Sequence, residues 1–335
     1  MKKRVKVSVL CITYNQVEYI KACLDNILSQ ETNFEYEIIV HDDASTDGTR
    51  EIVEKYEKKY PKKIIALYEK DNQYSKDPLF FFERMIPRAS GEYIAFCEGD
   101  DYWTDRTKLQ QQFDYMELHP DCTLCFHNAD VLYMNTGKIK RIGNNNIFGK
   151  YKTKDNIYNA GNINMCKFAT RNPIPTASDF FRRRDVQKFP ECFYLAPCAD
   201  LPLEMILSHI GYAYYIPKAM SIYRRNTGIS VTDSWQKGKE KTISRSKQFI
   251  KFVDAFNEYS DKKYNREMIL LKRRYELDIL IAKRKPFKII FNQEYREIYN
   301  EIFGDKIFIK LIMRSFFPNP YQRMRDIIKF KRKGK

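Results

Sequence analysis

Hydrophobic and polar positions in the first hundred residues alternate between two periods. Val5-Lys6-Val7-Ser8-Val9-Leu10-Cys11-Ile12 is a β-rich apolar run that predicts a first strand, and it stops at the polar Thr13-Tyr14-Asn15. Ile20, Cys23, Leu24, Ile27 and Leu28 then recur at the spacing of one helix face, with Asn15 as the expected cap. Glu37-Ile38-Ile39-Val40 predicts a second strand, closed by His41-Asp42-Asp43. A helix follows, capped by Ser45, Thr46 or Asp47, with Ile52, Val53 and Tyr56 on one face and Pro61 beyond its end. Ile64 to Tyr68 predicts a third strand and Phe80 to Ile86 a helical stretch. Tyr93-Ile94-Ala95-Phe96-Cys97 predicts a fourth strand that runs straight into Glu98-Gly99-Asp100-Asp101.

Strands alternating with helices in this way predict an α/β protein with a Rossmann-like parallel half. In such sheets ligands lie beyond the carboxyl ends of the strands, and the polar clusters after strands one, two and four are expected to meet in one crevice. Residues 120 to 233 are less regular. They hold a strand at Thr123 to Phe126, a Gly/Asn-rich stretch from Gly143 to Gly149, a loop from Asn172 to Thr176 and an apolar strand near Tyr212 to Ile216. After Trp235 the pattern turns helical and basic, with Pro286 and the pair Pro318 and Pro320 dividing it into three pieces. The expected organisation is a nucleotide-facing half over 1–118, an acceptor-facing half over 119–233 and a helical extension over 234–335.

Composition sharpens this picture in three respects. A chain with 43% hydrophobic and 15% aromatic residues has enough apolar surface for an ordered core. Lys6 interrupts the first apolar run, which is read as a strand and not an export signal, and no run reaches the length of a membrane-spanning helix. The eight cysteines lack a paired framework, and the isolated C-x-x-C of Cys122 and Cys125 has no matching second pair, so a reducing cytoplasm is expected. The net charge of +16 is concentrated at one end: residues 234–335 carry 27 Lys and Arg against 12 Asp and Glu, whereas the rest of the chain is near neutral. A neutral body joined to a basic segment suggests contact with an anionic surface.

The crevice residues restrict its chemistry. A dinucleotide site needs a glycine-rich first turn, but the turn reads Thr13-Tyr14-Asn15-Gln16, and no P-loop spacing occurs around Gly143 or Gly149. Carboxylates repel a diphosphate unless a divalent cation lies between them. Asp100 and Asp101, on a turn after a buried strand, suit Mg²⁺ or Mn²⁺, which takes one or two carboxylates plus phosphate oxygens. The same two residues also suit a plain helix-capping turn.

Three blocks in order, Val7 to Asn15, Ile38 to Thr49 and Gly91 to Trp103, resemble the motifs of family 2 glycosyltransferases, and the chain is similar to bacterial members that build surface polysaccharides. The resemblance spans residues 5 to 230 and is strongest in the first half. It implies a GT-A fold, a Rossmann-like nucleotide-binding sheet fused to an acceptor-binding half, here followed by a basic helical extension. It further implies an inverting, metal-dependent transfer of a hexosyl group from a nucleotide-diphosphate donor to a saccharide hydroxyl. Thr13, Tyr14 and Asn15 would border the nucleoside, and Asp43 would bond the base, uracil if the donor is a UDP-sugar. Asp42 would support that pocket or cap a helix, and Asn72 would line it or form a turn. Asp101 would be the main ligand of Mn²⁺ or Mg²⁺, with Asp100 on the metal, ribose or donor sugar.

The family places its catalytic base in an Asp-hydrophobic segment that opens a helix, which matches Asp200 in Ala199-Asp200-Leu201-Pro202. Many relatives carry a histidine shortly after a Tyr-Arg pair. Here Tyr223-Arg224-Arg225-Asn226 puts Asn226 at that position and leaves Arg224 or Arg225 to meet the diphosphate. In the tail, Ile307 to Phe317 and Met324 to Lys333 mix bulky apolar groups with cations, suiting either the headgroup layer of an anionic membrane or a cap on the body. These readings imply a lipid-linked saccharide acceptor and a protein on the inner face of the cell membrane. Nucleic acid is not an expected partner, since no recognition motif occurs. A sugar-1-phosphate nucleotidyltransferase is the rival enzyme, and it would need the glycine-rich, basic first loop that is missing. An inactive membrane-associated scaffold is the non-enzymatic rival.

Overall fold

The computed structural model describes residues 4–77, 79–140, 152–170, 174–228, 238–303 and 305–316. The Gly/Asn-rich stretch, the start of the Asn172 loop, Trp235, Pro318, Pro320 and the segment from Met324 to Lys333 lie outside them. The first half follows the expected order: β1 (Val5–Thr13), α1 (Ile20–Leu28), β2 (Glu35–Asp42), α2 (Thr49–Lys59), β3 (Ile64–Tyr68), α3 (Phe80–Met85) and β4 (Tyr93–Phe96). Next come β5 (Tyr102–Trp103), α4 (Lys108–Leu118), β6 (Cys122–Tyr133), β7 (Lys138–Lys140), β8 (Ile157–Tyr158), α5 (Ala160–Thr170), β9 (Phe180–Arg182), α6 (Asp200–Ile210) and β10 (Tyr212–Arg225). Helices α7 (Lys239–Tyr259), α8 (Asn265–Ala282), α9 (Pro286–Ile290), α10 (Gln293–Phe303) and α11 (Asp305–Phe316) complete the described chain.

All the strands join one sheet in the order β3-β2-β1-β4-β9-β6-β10-β5, with β7 on β6 and β8 on β10. The pairs β3-β2, β2-β1 and β1-β4 are parallel, as a β-α-β chain requires. Antiparallel β9 then bridges β4 to β6 and fuses the two halves. Alternation of side chains along β1 divides the core. Val7, Val9 and Cys11 face a layer with α1, Val53 of α2 and Leu109 and Met116 of α4, whereas Leu10 faces α3, α6 and the C-terminal helices.

Four expectations need correction. Asn15 does not cap α1, which starts at Ile20; it sits at φ 52° in a connecting turn. Gly48, not Ser45, Thr46 or Asp47, precedes α2, although Asp47 Oδ1 accepts the Thr49 N–H at 3.0 Å from one position further back. Strands β6 and β10 run well past the apolar runs that marked them. In β6 the apolar pattern ends at Phe126 because His127 and Asn128 are buried polar residues, and in β10 the pairing shifts register around Pro217, which has no N–H to give. Among the described residues of the tail there are five helices, where Pro286 alone was expected to divide the stretch in two. Phe249, Phe252, Val253, Phe256, Leu271 and Leu277 are buried in the core cluster that contains α6 and β4, so its first two helices belong to the body.

Candidate active site

The backbone of β4 continues its partnership with β1 beyond the strand: Cys97 N–H donates to Leu10 O at 3.1 Å and Gly99 N–H to Ile12 O at 2.9 Å. This lays Glu98-Gly99-Asp100-Asp101 over the end of β1. A side chain at Gly99 would collide with Gln16 Oε1 and would meet Thr13 Oγ1 at 2.8 Å, so only glycine permits so close an approach. Thr13 Oγ1 donates to Gln16 Oε1 at 2.9 Å and, like Gly99, is buried. Tyr14 is 43% exposed at the crevice edge, and Asn15 is tied to the following loop through Ser45 Oγ and the Thr46 N–H.

The acidic turn is held from β10. Asp101 Oδ1 accepts the Arg224 backbone N–H at 3.0 Å, and Arg224 Nη1 donates to the Asp100 carbonyl. The Arg224 guanidinium also lies over the rings of Tyr102, at 4.5 Å, and Tyr19, at 5.0 Å. Arg224 thus reaches the site, but its polar contacts are to the turn itself. Arg225 points away, exposed, with its guanidinium over Tyr223 at 5.8 Å, as alternation along a strand dictates. Asn226, at φ 60°, donates to Asn135 Oδ1 on the surface.

The two acids at the end of β2 have separate roles. Asp42 is fully buried, and its Oδ2 accepts from Arg50 Nε at 2.9 Å, an ion pair whose arginine side chain is 33% exposed. Asp43 receives the N–H groups of Gln73, at 2.7 Å, and Tyr74, at 3.0 Å, one on each oxygen. Asn72 forms the turn that precedes them, its Oδ1 accepting from the Ser75 N–H at 2.8 Å. Asp43 therefore fixes the loop that carries Tyr74, whose hydroxyl is pushed upward in pKa by burial and by the charges of Cys198, Asp200 and Glu98. Tyr74 is a crevice residue with no signal in the sequence other than its place after a turn.

Asp200 is the first residue of α6 and not its cap; it is half-buried, and its Oδ1 accepts the Leu201 N–H at 2.8 Å. Burial raises the Glu98 carboxyl to about 8, with Asp100 and Asp200 adding to the effect. Asp101 is pushed well above the usual carboxylate range by burial, Asp100 and Glu98, against the opposing pull of Arg224. The chain therefore crowds carboxyl groups where the strands end, and their mutual repulsion favours the protonated form until a cation is bound. Among the described residues no three His, Cys, Asp or Glu side chains form a closed metal site. The arrangement fits an open one: mutual repulsion of the carboxyls is the cost that a divalent cation removes, and diphosphate oxygens would complete its shell.

Residues 8–183 match the model of the family described as Glycosyl transferase family 2. Uncharacterized protein Rv1520 of Mycobacterium tuberculosis is 33% identical over 224 residues, a match that covers 65% of this chain and 58% of that protein. An Escherichia coli UDP-Glc:alpha-D-GlcNAc-diphosphoundecaprenol beta-1,3-glucosyltransferase, WfaP, is 37% identical over 111 residues, 33% of this chain and 41% of the relative. Among solved structures, S. aureus TarS 1-349 in complex with UDP-GlcNAc aligns with TM-score 0.58 at 18% identity, covering 89% of this chain and 82% of the other. Mannosyltransferase PcManGT from Pyrobaculum calidifontis in complex with GDP-Man and Mn2+ aligns with TM-score 0.52 at 15% identity, covering 95% and 89%. The family match runs from β1 to the end of β9, more than half of the sequence, and by it this chain belongs to the family 2 glycosyltransferases, with their GT-A fold.

Proposed function

We propose that this protein is an inverting, metal-dependent glycosyltransferase that moves a hexosyl group from a UDP-sugar to a hydroxyl of a lipid-linked saccharide during synthesis of a bacterial surface polysaccharide, capsule, O-antigen or exopolysaccharide. The observation that carries it is the acidic turn Glu98 to Asp101, fixed to β10 through Asp101 and Arg224 and charge-coupled to Asp200. In this reading Asp101, with Asp100, holds Mn²⁺ or Mg²⁺, which when bound offsets charge on the departing nucleoside diphosphate. Thr13, Tyr14, Asn15, Asp43 and Asn72 border the nucleoside, Asp43 chiefly by fixing the loop of Tyr74; Asp42 with Arg50 braces that pocket, and Arg224 supports the turn. Asp200 takes the proton from the acceptor hydroxyl as the oxygen attacks the anomeric carbon, the anomeric C–O bond breaks and the diphosphate leaves. The boundaries 1–118, 119–233 and 234–335 are kept as functional divisions, donor, acceptor and surface contact, with the first two helices of the last segment packed into the body.

Support for the donor and acceptor classes comes from the relatives, one named for UDP-Glc and a diphosphoundecaprenol acceptor and one solved with UDP-GlcNAc. No described helix is long and apolar enough to cross a membrane. Membrane contact is instead assigned to an exposed patch: Phe287, Phe291 and Phe316 are 47%, 74% and 46% exposed and lie ring to ring, with exposed Ile309 and Met313 on α11. The exposed Lys283, Arg284, Lys285 and Lys288 flank Phe287 in the sequence and the exposed Lys310 follows Ile309, a composition suited to an anionic leaflet and to a cytoplasmic, peripheral enzyme. A binding screen of nucleotide-sugars with Mn²⁺ tests the donor assignment; release of pyrophosphate from a nucleoside triphosphate would point to a nucleotidyltransferase, and no binding at all to a scaffold.

A further inference from the structure

Asp179 stands between a 3₁₀ turn, Thr176–Ser178, and β9. Its carbonyl accepts the Phe96 N–H at 3.3 Å, which fixes it beside the last residue of β4, just ahead of Glu98. Its side chain is fully buried and neither carboxyl oxygen has a hydrogen-bond partner. Burial and the charges of Asp200 and Glu98 push this carboxyl well above the usual range, while Lys108 pulls it down. Lys108 does not serve as its ion-pair partner: the Lys108 Nζ has no hydrogen-bond partner and sits 3.9 Å from the centroid of the Trp103 ring. A buried carboxyl without donors is costly, and such groups are retained where something supplies the donors.

The surroundings specify the donor's chemistry. Asp200 and Glu98 make the place hostile to another anion, and an apolar group would leave both oxygens unpaired. A neutral polyhydroxyl group satisfies them without adding charge. Asp179 is electrostatically linked to both the acidic turn and the start of α6, between which a transferred sugar has to lie. We propose that Asp179 is a specificity residue for the transferred sugar, its carboxyl accepting hydrogen bonds from hydroxyls of the hexosyl group. The inference rests on the glycosyltransferase reading. Because both oxygens are closed to solvent, the contact requires a side-chain shift and forms on sugar binding, not on nucleotide binding.

The test is calorimetric titration of the full chain with Mn²⁺, using a panel of nucleotide-sugars and the matching free nucleoside diphosphates, on wild type, Asp179→Asn and the smaller Asp179→Ser. The expected result is unchanged diphosphate affinity and a tenfold or greater loss of the extra affinity that the sugar confers, with the donor KM raised accordingly. The melting temperature should stay equal or rise, since an unpaired buried carboxyl has been removed. Retention of the full sugar increment in both variants overturns the proposal. So does a parallel loss of diphosphate and nucleotide-sugar binding with a lower melting temperature, which marks a structural residue. If wild type binds no nucleotide-sugar, the glycosyltransferase reading itself fails and Asp179 loses its sugar; if wild type binds and the variants bind equally well, only the Asp179 assignment fails.

Discussion

Asp101 Oδ1 accepts the backbone N–H of Arg224 at 3.0 Å, joining the turn after β4 to the end of β10. One carboxylate thus has two roles, as an internal brace through Oδ1 and, in the proposed mechanism, as a metal ligand through its other oxygen. The two roles separate by substitution. Asp101→Asn keeps an oxygen for the Arg224 N–H, so it should fold with near wild-type melting while losing metal-dependent transfer by ~10² or more. Asp101→Ala strands the buried N–H and should lose about 1–3 kcal/mol of stability as well. Thermal melting beside transfer rates checks both; equal activity of Asp101→Asn and wild type would remove the residue from metal binding.

Glu98 gives the protein a stability that depends on pH. Its carboxyl is raised from an ordinary 4.5 to about 8, so the folded state holds a proton that the unfolded state has released. Stability is therefore full below the unfolded value and falls as pH rises between the two values, by at most about 1.4 kcal/mol per pH unit from this group. Denaturant melts from pH 5 to 8 should show that decline. Glu98→Gln should flatten it, and Mn²⁺ with nucleoside diphosphate should reduce it.

Asp200 opens α6 with one oxygen on the Leu201 N–H. Asp200→Asn retains that acceptor, so donor binding should be unchanged while turnover falls by ~10²–10⁴, the range for loss of a general base. Single-turnover transfer beside donor titration separates the two quantities. A variant that transfers at the wild-type rate would exclude Asp200 from the chemistry.

The aromatic patch on α9 and α11 should bind vesicles containing anionic lipid and not purely zwitterionic ones, with binding weakened by salt. Phe287→Ser together with Phe291→Ser should abolish sedimentation with vesicles and leave transfer to a soluble acceptor intact, because both side chains are exposed. Undiminished sedimentation of the double variant would rule the patch out.

Much of the fold over residues 1–118 was legible because its signals are local. Apolar runs marked β1 to β4 to within two residues, and the helices between them showed their buried faces by spacing alone. Residues 119–233 were harder to read. The strands β6 and β10 are built partly from buried polar residues, His127, Asn128 and Ser221, which look like loop in a one-dimensional pattern. Their place in the sheet is decided by pairing with each other and with β9.

The sequence by itself determined the succession of strands and helices up to β4 along the chain, the acidic turn after the fourth strand and, through three motif blocks, the family. Those are properties of short segments, where hydrophobic period and turn chemistry act over a few residues. Only the tertiary structure decided that Arg224 braces Asp101 from a strand 123 positions away, that Asp43 works by holding the Tyr74 loop, and that Asp179 is buried beside the crevice. Each depends on long-range sheet pairing and on the low dielectric of a closed interior, which set hydrogen-bond partners and carboxylate charge only after the chain has folded.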